Sequence, residues 1–96
     1  MAVYVDPLFL CIRNLNWRYD TSCHLFGDSE AEVLGFGRKI GLKESWFQKK
    51  LGRLDHFDLN ESKRAKAIEA GAIPVSMEFV AERIKEARNA IRDTIQ

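Results

Sequence analysis

Residues 55–75, DHFDLNESKRAKAIEAGAIPV, carry three successive signals that decide the fold. Asp55-His56-Phe57-Asp58-Leu59 alternates polar and apolar side chains, so an extended backbone buries Phe57 with Leu59 and puts His56 and Asp58 together on the other side. Asp58 or Asn60 then caps a helix over ESKRAKAIEA, with Ala65, Ala67 and Ile68 facing inward and Gly71 marking its end. Ala72-Ile73-Pro74-Val75 follows as a strand. Pro74 has no amide proton for a ladder, which confines this strand to a sheet edge or a very short pairing. An extended piece, a helix and a strand in this order form the unit from which parallel sheets are built.

Working outward, Ser76 caps a last helix in which Met77, Val80, Ile84, Ala87 and Ile91 line one stripe. That stripe packs a core, and its alternating three- and four-residue steps also suit a homodimer through the C-terminal helix. Toward the N-terminus, Trp46-Phe47-Gln48 is a short aromatic run that suits a strand, followed by KKLGR as an exposed loop. Further back, Ser29 and Glu32 have the S-x-x-E spacing of a capping box, with Asp28 as the alternative cap. The helix so begun places Val33, Phe36, Gly37 and Ile40 on one side and stops at Gly41. Cys23-His24-Leu25-Phe26 reads as a strand before it. At the start of the chain, AVYVD is a β-branched and aromatic strand that ends in Asp6, where Pro7 stops it. Between these two strands, Phe9 to Ile12 reads either as a strand or as a buried loop, with Asn14 and Asn16 as turn formers before Trp17.

The chain has 96 residues, 46% hydrophobic and 30% charged, with Lys+Arg 15 against Asp+Glu 14. Such a chain is one domain, residues 1–96, and on folding it buries roughly 60 to 68% of its unfolded surface. The sum of the elements is a small α/β domain, a largely parallel sheet of about three or four strands with about three helices. A net charge of +1 provides no global field for nucleic acid or an anionic membrane. No apolar run approaches the ~20 residues that span a bilayer. Two cysteines outside any C-x-x-C pair read as reduced, packed thiols, so the expected setting is cytoplasmic. Cys23 beside His24 suggests a nucleophile only weakly, because adjacent strand residues point to opposite faces.

The polar candidates fall at element ends. Asp6 closes a strand, Asp28 opens a helix, and His24, His56 and Asp58 lie in extended segments. Ligands of open α/β sheets gather at such ends, although capping alone explains an Asp at a helix start. Imidazole and carboxylate together suit zinc, iron or manganese, with His24, His56 and Asp58 as the metal set. Either histidine could instead exchange protons near pH ~6.5, oriented by a carboxylate, or simply bond to backbone. Lys49, Lys50, Arg53, Lys63, Arg64 and Lys66 concentrate positive charge near this segment, as for a phosphate, or form two unrelated solvated faces. Trp17, Trp46 and Phe47 offer rings for stacking if exposed. No Gly-rich phosphate loop and no nucleic-acid-binding signature is present.

These residues carry a resemblance. The chain is similar, over nearly its full length, to a small family of bacterial and phage proteins known as domain of unknown function four-zero-three-one. The family pattern opens with V-x-V-D-P, matched by Val3, Val5, Asp6 and Pro7. Trp17 precedes H-L-x-x-D, matched by His24, Leu25 and Asp28. Gly41 and Phe47 follow, then Asp55, His56, Phe57, Asp58 and Leu59 on D-H-Y-D-[LV], and Ala67, Gly71, Ala72, Pro74 and Val75 on A-x-x-x-G-A-x-P-V. Phe57 replaces the tyrosine of the pattern, which argues against an essential phenolic hydroxyl. The resemblance implies that Asp6, His24, Asp28, His56 and Asp58 belong to one shared pattern, and it implies no activity.

Two functions from different classes follow. In the first, a polar pocket of Asp6, His24, His56 and Asp58 acts on a phosphate-containing small molecule or nucleotide as a metal-assisted hydrolase. His24, His56 and Asp58 are then the catalytic group. Asp6, Asp28, Trp17, Lys63 and Arg64 bind ligand, the last two holding phosphate. In the second, the protein is a non-catalytic sequestering protein for a nucleotide, or a dimeric adaptor acting through its last helix.

Overall fold

The computed structural model describes residues 2–49 and 54–95. Its five strands form one mixed sheet: β1 (Val3–Val5), β2 (Phe9–Leu10), β3 (Thr21–Gly27), β4 (Phe57–Leu59) and β5 (Ile73–Pro74). Three helices accompany it, α1 (Glu30–Lys39), α2 (Glu61–Glu69) and α3 (Met77–Ile95). The α/β class is as read from the sequence, but the sheet is only partly parallel. β3 is antiparallel to β1, β2 and β4, and β1 with β5 is the parallel pair. The physical reason is the position of β3. Because β4 and β1 each run against β3, they run the same way as each other and as β5, as the strand–helix–strand reading requires. The long β3 sits between them and turns every contact it makes antiparallel.

The helix ends obey local chemistry. The Ser29 side chain accepts from the Glu32 amide, Asn60 from Lys63 and Ser76 from Phe79. Gly41 and Gly71, at φ 86° and 116°, terminate α1 and α2 in conformations that L side chains rarely adopt. Within α2, Ala67 is the buried residue, whereas Ala65 is exposed and does not face inward.

Strand alternation sends two sets of side chains to opposite faces. Val5, Cys23, Leu25, Phe57 and Leu59 pack with Val33, Ile40 and Ala67 of α1 and α2. Gly37 of α1 packs closely on β4: a Cβ there would lie 2.8 Å from the Phe57 ring. On the other face, Tyr4 and Phe26 pack with Val80, Phe79 and Ile84 of α3, so Val80 and Ile84 of the C-terminal apolar stripe serve the core, whereas Met77 at its start is exposed.

One local reading is corrected and one open alternative is resolved. Glu44–Trp46 is a turn of 3-10 helix, not a strand, because Trp46 and Phe47 amides find carbonyls of Lys43 and Glu44 three residues back. Only Gln48 pairs, in an isolated bridge to His56. The expected KKLGR loop lies outside the described residues apart from Lys49, which pairs with Glu30 at 3.0 Å. Phe9 and Leu10 resolve the ambiguous segment as a strand. From Val5 to Phe9 the chain takes one step more than β3 does from Leu25 to Ser22, and the extra residue is absorbed around Pro7, as in a bulge.

Candidate functional site

The site is a row across three strands. His24 on β3 lies directly opposite Asp58 on β4. On the other side of β3, the Asp6 amide just past the end of β1 donates to the His24 carbonyl at 3.2 Å. His56 precedes β4 by one residue and so shares the Asp58 side. The hydrophobic alternation that buries Phe57 and Leu59 is therefore what brings His56 and Asp58 to the face shared with His24.

Each imidazole is held at Nδ1. The Asp6 carboxylate, 1% exposed, accepts the His24 backbone N–H through Oδ1 at 2.6 Å and meets His24 Nδ1 through Oδ2 at 2.7 Å. Arg64 of α2 donates Nε to the Asp6 carbonyl at 2.9 Å, which fixes the segment that carries the carboxylate. His56 Nδ1 lies 2.8 Å from the Leu54 carbonyl, a pure acceptor, so Nδ1 is the protonated nitrogen there. With Nδ1–H given to these acceptors, both rings direct Nε2 toward Asp58 Oδ1, at 3.8 Å from His24 and 3.4 Å from His56. The two rings stand edge to face, centroids 4.7 Å apart. Gln48 donates to Asp58 Oδ2 at 2.5 Å and locks the carboxylate. The neighbouring His56 ring holds the Asp58 carboxyl below the usual carboxylate range, with the Gln48 hydrogen bond adding to the effect and partial burial opposing it.

Each imidazole thus faces an acceptor at both nitrogens, while a neutral ring carries one N–H. The second position calls for a proton or a metal cation. Among the described residues, His24, His56 and Asp58 form a cluster whose ligating atoms all lie within 4.8 Å of one another. Asp6 and the Leu54 carbonyl stand to them as the acceptors that orient metal-bound histidines in general.

Other sequence candidates lie elsewhere. Asp28 does not join the histidines: its carboxylate accepts from the Ala2 amide, the Tyr4 hydroxyl and Arg83, each at 2.9 Å. Trp17 gives its indole N–H to the Thr21 carbonyl and packs edge-on against Tyr19 in the β2–β3 loop. The Lys63 backbone is bound by the Asn60 cap, and Arg64 reaches the site through the Asp6 carbonyl. Trp46 is exposed, whereas Phe47 packs on Phe57. Cys23 is fully buried on the opposite face, where burial pushes its thiol up to about 12. Two neighbours escaped sequence reasoning. Gln48 gives no local signal, and Phe9, whose ring lies 5.5 Å from that of His24, is recognisable only once β2 is known to pair with β3.

A small α/β domain with a mixed sheet, bearing a His-His-Asp cluster tied to a buried Asp, is the class that fold and site define. The chain belongs to the family DUF4031, described as a protein of unknown function, whose model it matches over residues 3–87. No curated protein and no solved structure matches it. The matched span contains every residue of the cluster. Among the described residues, no helix is long and apolar enough to cross a membrane.

Proposed function

We propose that the protein is a metal-assisted hydrolase in which His24, His56 and Asp58 hold one divalent cation. The observation that carries this reading is the spacing of the facing atoms. Asp58 Oδ1 stands 3.4 and 3.8 Å from the two Nε2 atoms, longer than the 2.7–3.2 Å usual for direct hydrogen bonds. Ligands at about 2.0–2.1 Å from a tetrahedral ion are separated by roughly 3.3 Å, close to the distances here. Three protein ligands leave a position for water, and a bound divalent ion supplies a nucleophilic hydroxide near neutral pH.

Within this reading the chain's own residues do the positioning. Asp6 keeps the His24 proton on Nδ1, Leu54 does the same for His56, and Gln48 orients Asp58. The cluster is partly exposed, as a site that admits a small molecule must be. A phosphate ester is the proposed substrate, because an open coordination position takes an anionic oxygen. Reduced Cys11 and Cys23 support a cytoplasmic setting.

The test is elemental analysis with native mass spectrometry on protein purified without a histidine tag, before and after loading with zinc or manganese. One equivalent of metal is expected, lost in the His24→Ala, His56→Ala double variant, together with phosphoester turnover lost in His56→Ala. Wild-type protein that retains no metal after loading overturns the reading and leaves a proton shared among His24, Asp58 and His56. Metal retained with a phosphate ligand returned intact would move the assignment to sequestration.

A further inference from the structure

The cluster has an aromatic wall that the proposed chemistry does not use. Phe9 pairs with Ser22, and Ser22 and His24 lie two residues apart on β3, so Phe9 shares the face of His24, Asp58 and Asp6. Its ring centre is 5.5 Å from the imidazole centre and the two planes are tilted by 30°. Phe9 is nevertheless 43% exposed and belongs to neither hydrophobic cluster of the core. The nearby aromatics are engaged elsewhere: Trp17 packs on Tyr19 and bonds to Thr21. Leu10, also exposed, pairs with Thr21 and points to the opposite face. One ring is therefore left open to solvent beside the imidazole of a proposed ligand, held there by an edge strand.

We infer that Phe9 is a stacking platform and a specificity-determining residue, so that the ligand of this site carries a planar aromatic ring joined to its phosphate, as a nucleoside monophosphate does. The inference rests on the proposed metal site and adds the part of the substrate that the metal does not touch. Base–aromatic stacking is tolerant of base identity, since every base has a π-face, which predicts little preference among bases.

The experiment measures binding of adenosine monophosphate and of ribose 5-phosphate to the zinc-loaded protein by calorimetry, with metal content determined in each sample. Wild type, Phe9→Ala and Phe9→Trp are compared. Adenosine monophosphate is expected to bind about tenfold or more tightly than ribose 5-phosphate. Phe9→Ala should remove that difference while leaving ribose 5-phosphate binding and metal content unchanged, and Phe9→Trp should preserve it. Equal binding of the two phosphates by wild type, or equal weakening of both in Phe9→Ala, overturns the inference and leaves the metal site standing. Absence of zinc from the loaded wild type overturns both.

Discussion

Two aspartate-centred clusters occupy the two ends of one face of the sheet, and they are built on opposite principles. At one end, Asp28 receives three donors, from Ala2, Tyr4 and Arg83, while the Arg83 guanidinium lies 5.3 Å from the Tyr4 ring and 5.0 Å from the Phe79 ring. Donors and acceptors match, and the cluster ties α3 to β1 and to the start of α1. At the other end, Asp58 faces two imidazoles whose Nδ1 positions are already given to Asp6 and Leu54. There, among the described residues, two carboxylates and a carbonyl converge on two imidazoles. A closed cluster holds the fold together, and a partly exposed group of imidazoles and carboxylates is the kind of arrangement that binds a ligand. Both aspartates look alike as letters in the sequence.

The sharpest break of this comparison removes the orientation of one imidazole without removing the imidazole. In Asp6→Asn the amide oxygen can still accept the His24 backbone N–H, but the amide nitrogen then faces Nδ1. The His24 proton moves to Nε2, the position needed for metal. Zinc affinity, measured by competition with a chelator, should fall about 10- to 100-fold, and the nitrogen chemical shifts of His24 should report the exchanged tautomer. Arg83→Ala, by contrast, should leave zinc affinity unchanged. Equal loss of affinity in both variants would mean that the two ends are one cooperative unit and that the contrast is wrong.

A smaller effect sharpens the comparison through packing. Gly37→Ala brings a Cβ to 2.8 Å from Phe57, the residue between His56 and Asp58. The overpacking should cost about 1–3 kcal/mol in denaturant unfolding. It should also loosen the histidine cluster more than the Asp28 cluster, since β4 carries only the former. Hydrogen exchange at the β3–β4 ladder compared with the β1–β3 ladder distinguishes the two.

The closed cluster carries a pH signature. Hydrogen bonds from Arg83 and then Tyr4 lower the Asp28 pKa, so its folded value lies below its unfolded value near ~3.9. The stabilisation is therefore fully present above that unfolded value and is lost as pH falls through the folded one. Thermal unfolding followed below about pH 4 should show wild type losing part of its advantage over Arg83→Ala. A constant difference across that range would remove Asp28 from the set of pH-sensitive supports.

Much of the architecture was legible because it is local. Ser29, Asn60 and Ser76 cap their helices through bonds three residues away, and Gly41 and Gly71 end theirs. Alternation alone put His56 beside Asp58. What the sequence could not convey was pairing at a distance. Asp6 meets His24 across 18 positions, and Arg83 meets Asp28 across 55. Neither spacing has a period to detect. The same blindness hid β3 in the middle of the sheet: a strand–helix–strand pattern fixes the relative direction of its two strands but not what is inserted between them. Asp28 accordingly read as an equal of Asp6 until Tyr4 and Arg83 appeared beside it.

The smallest effect concerns Cys23, next in sequence to His24 and on the other face of the sheet. Burial holds its thiol near about 12, so at pH 8 only about one molecule in 10⁴ carries a thiolate there. Cys11 is partly exposed, its sulfur 3.5 Å from the Tyr19 carbonyl. Iodoacetamide at pH 8 should therefore alkylate Cys11 in the native protein and spare Cys23, as peptide mapping can read. Cys23→Ala should keep the full metal content of the wild type, because the residue contributes volume to the α1–α2 side and nothing to the histidine side. Rapid native alkylation of Cys23 with concurrent metal loss would show that β3 opens as a unit. Adjacent positions would then share a fate that strand alternation assigns to separate faces.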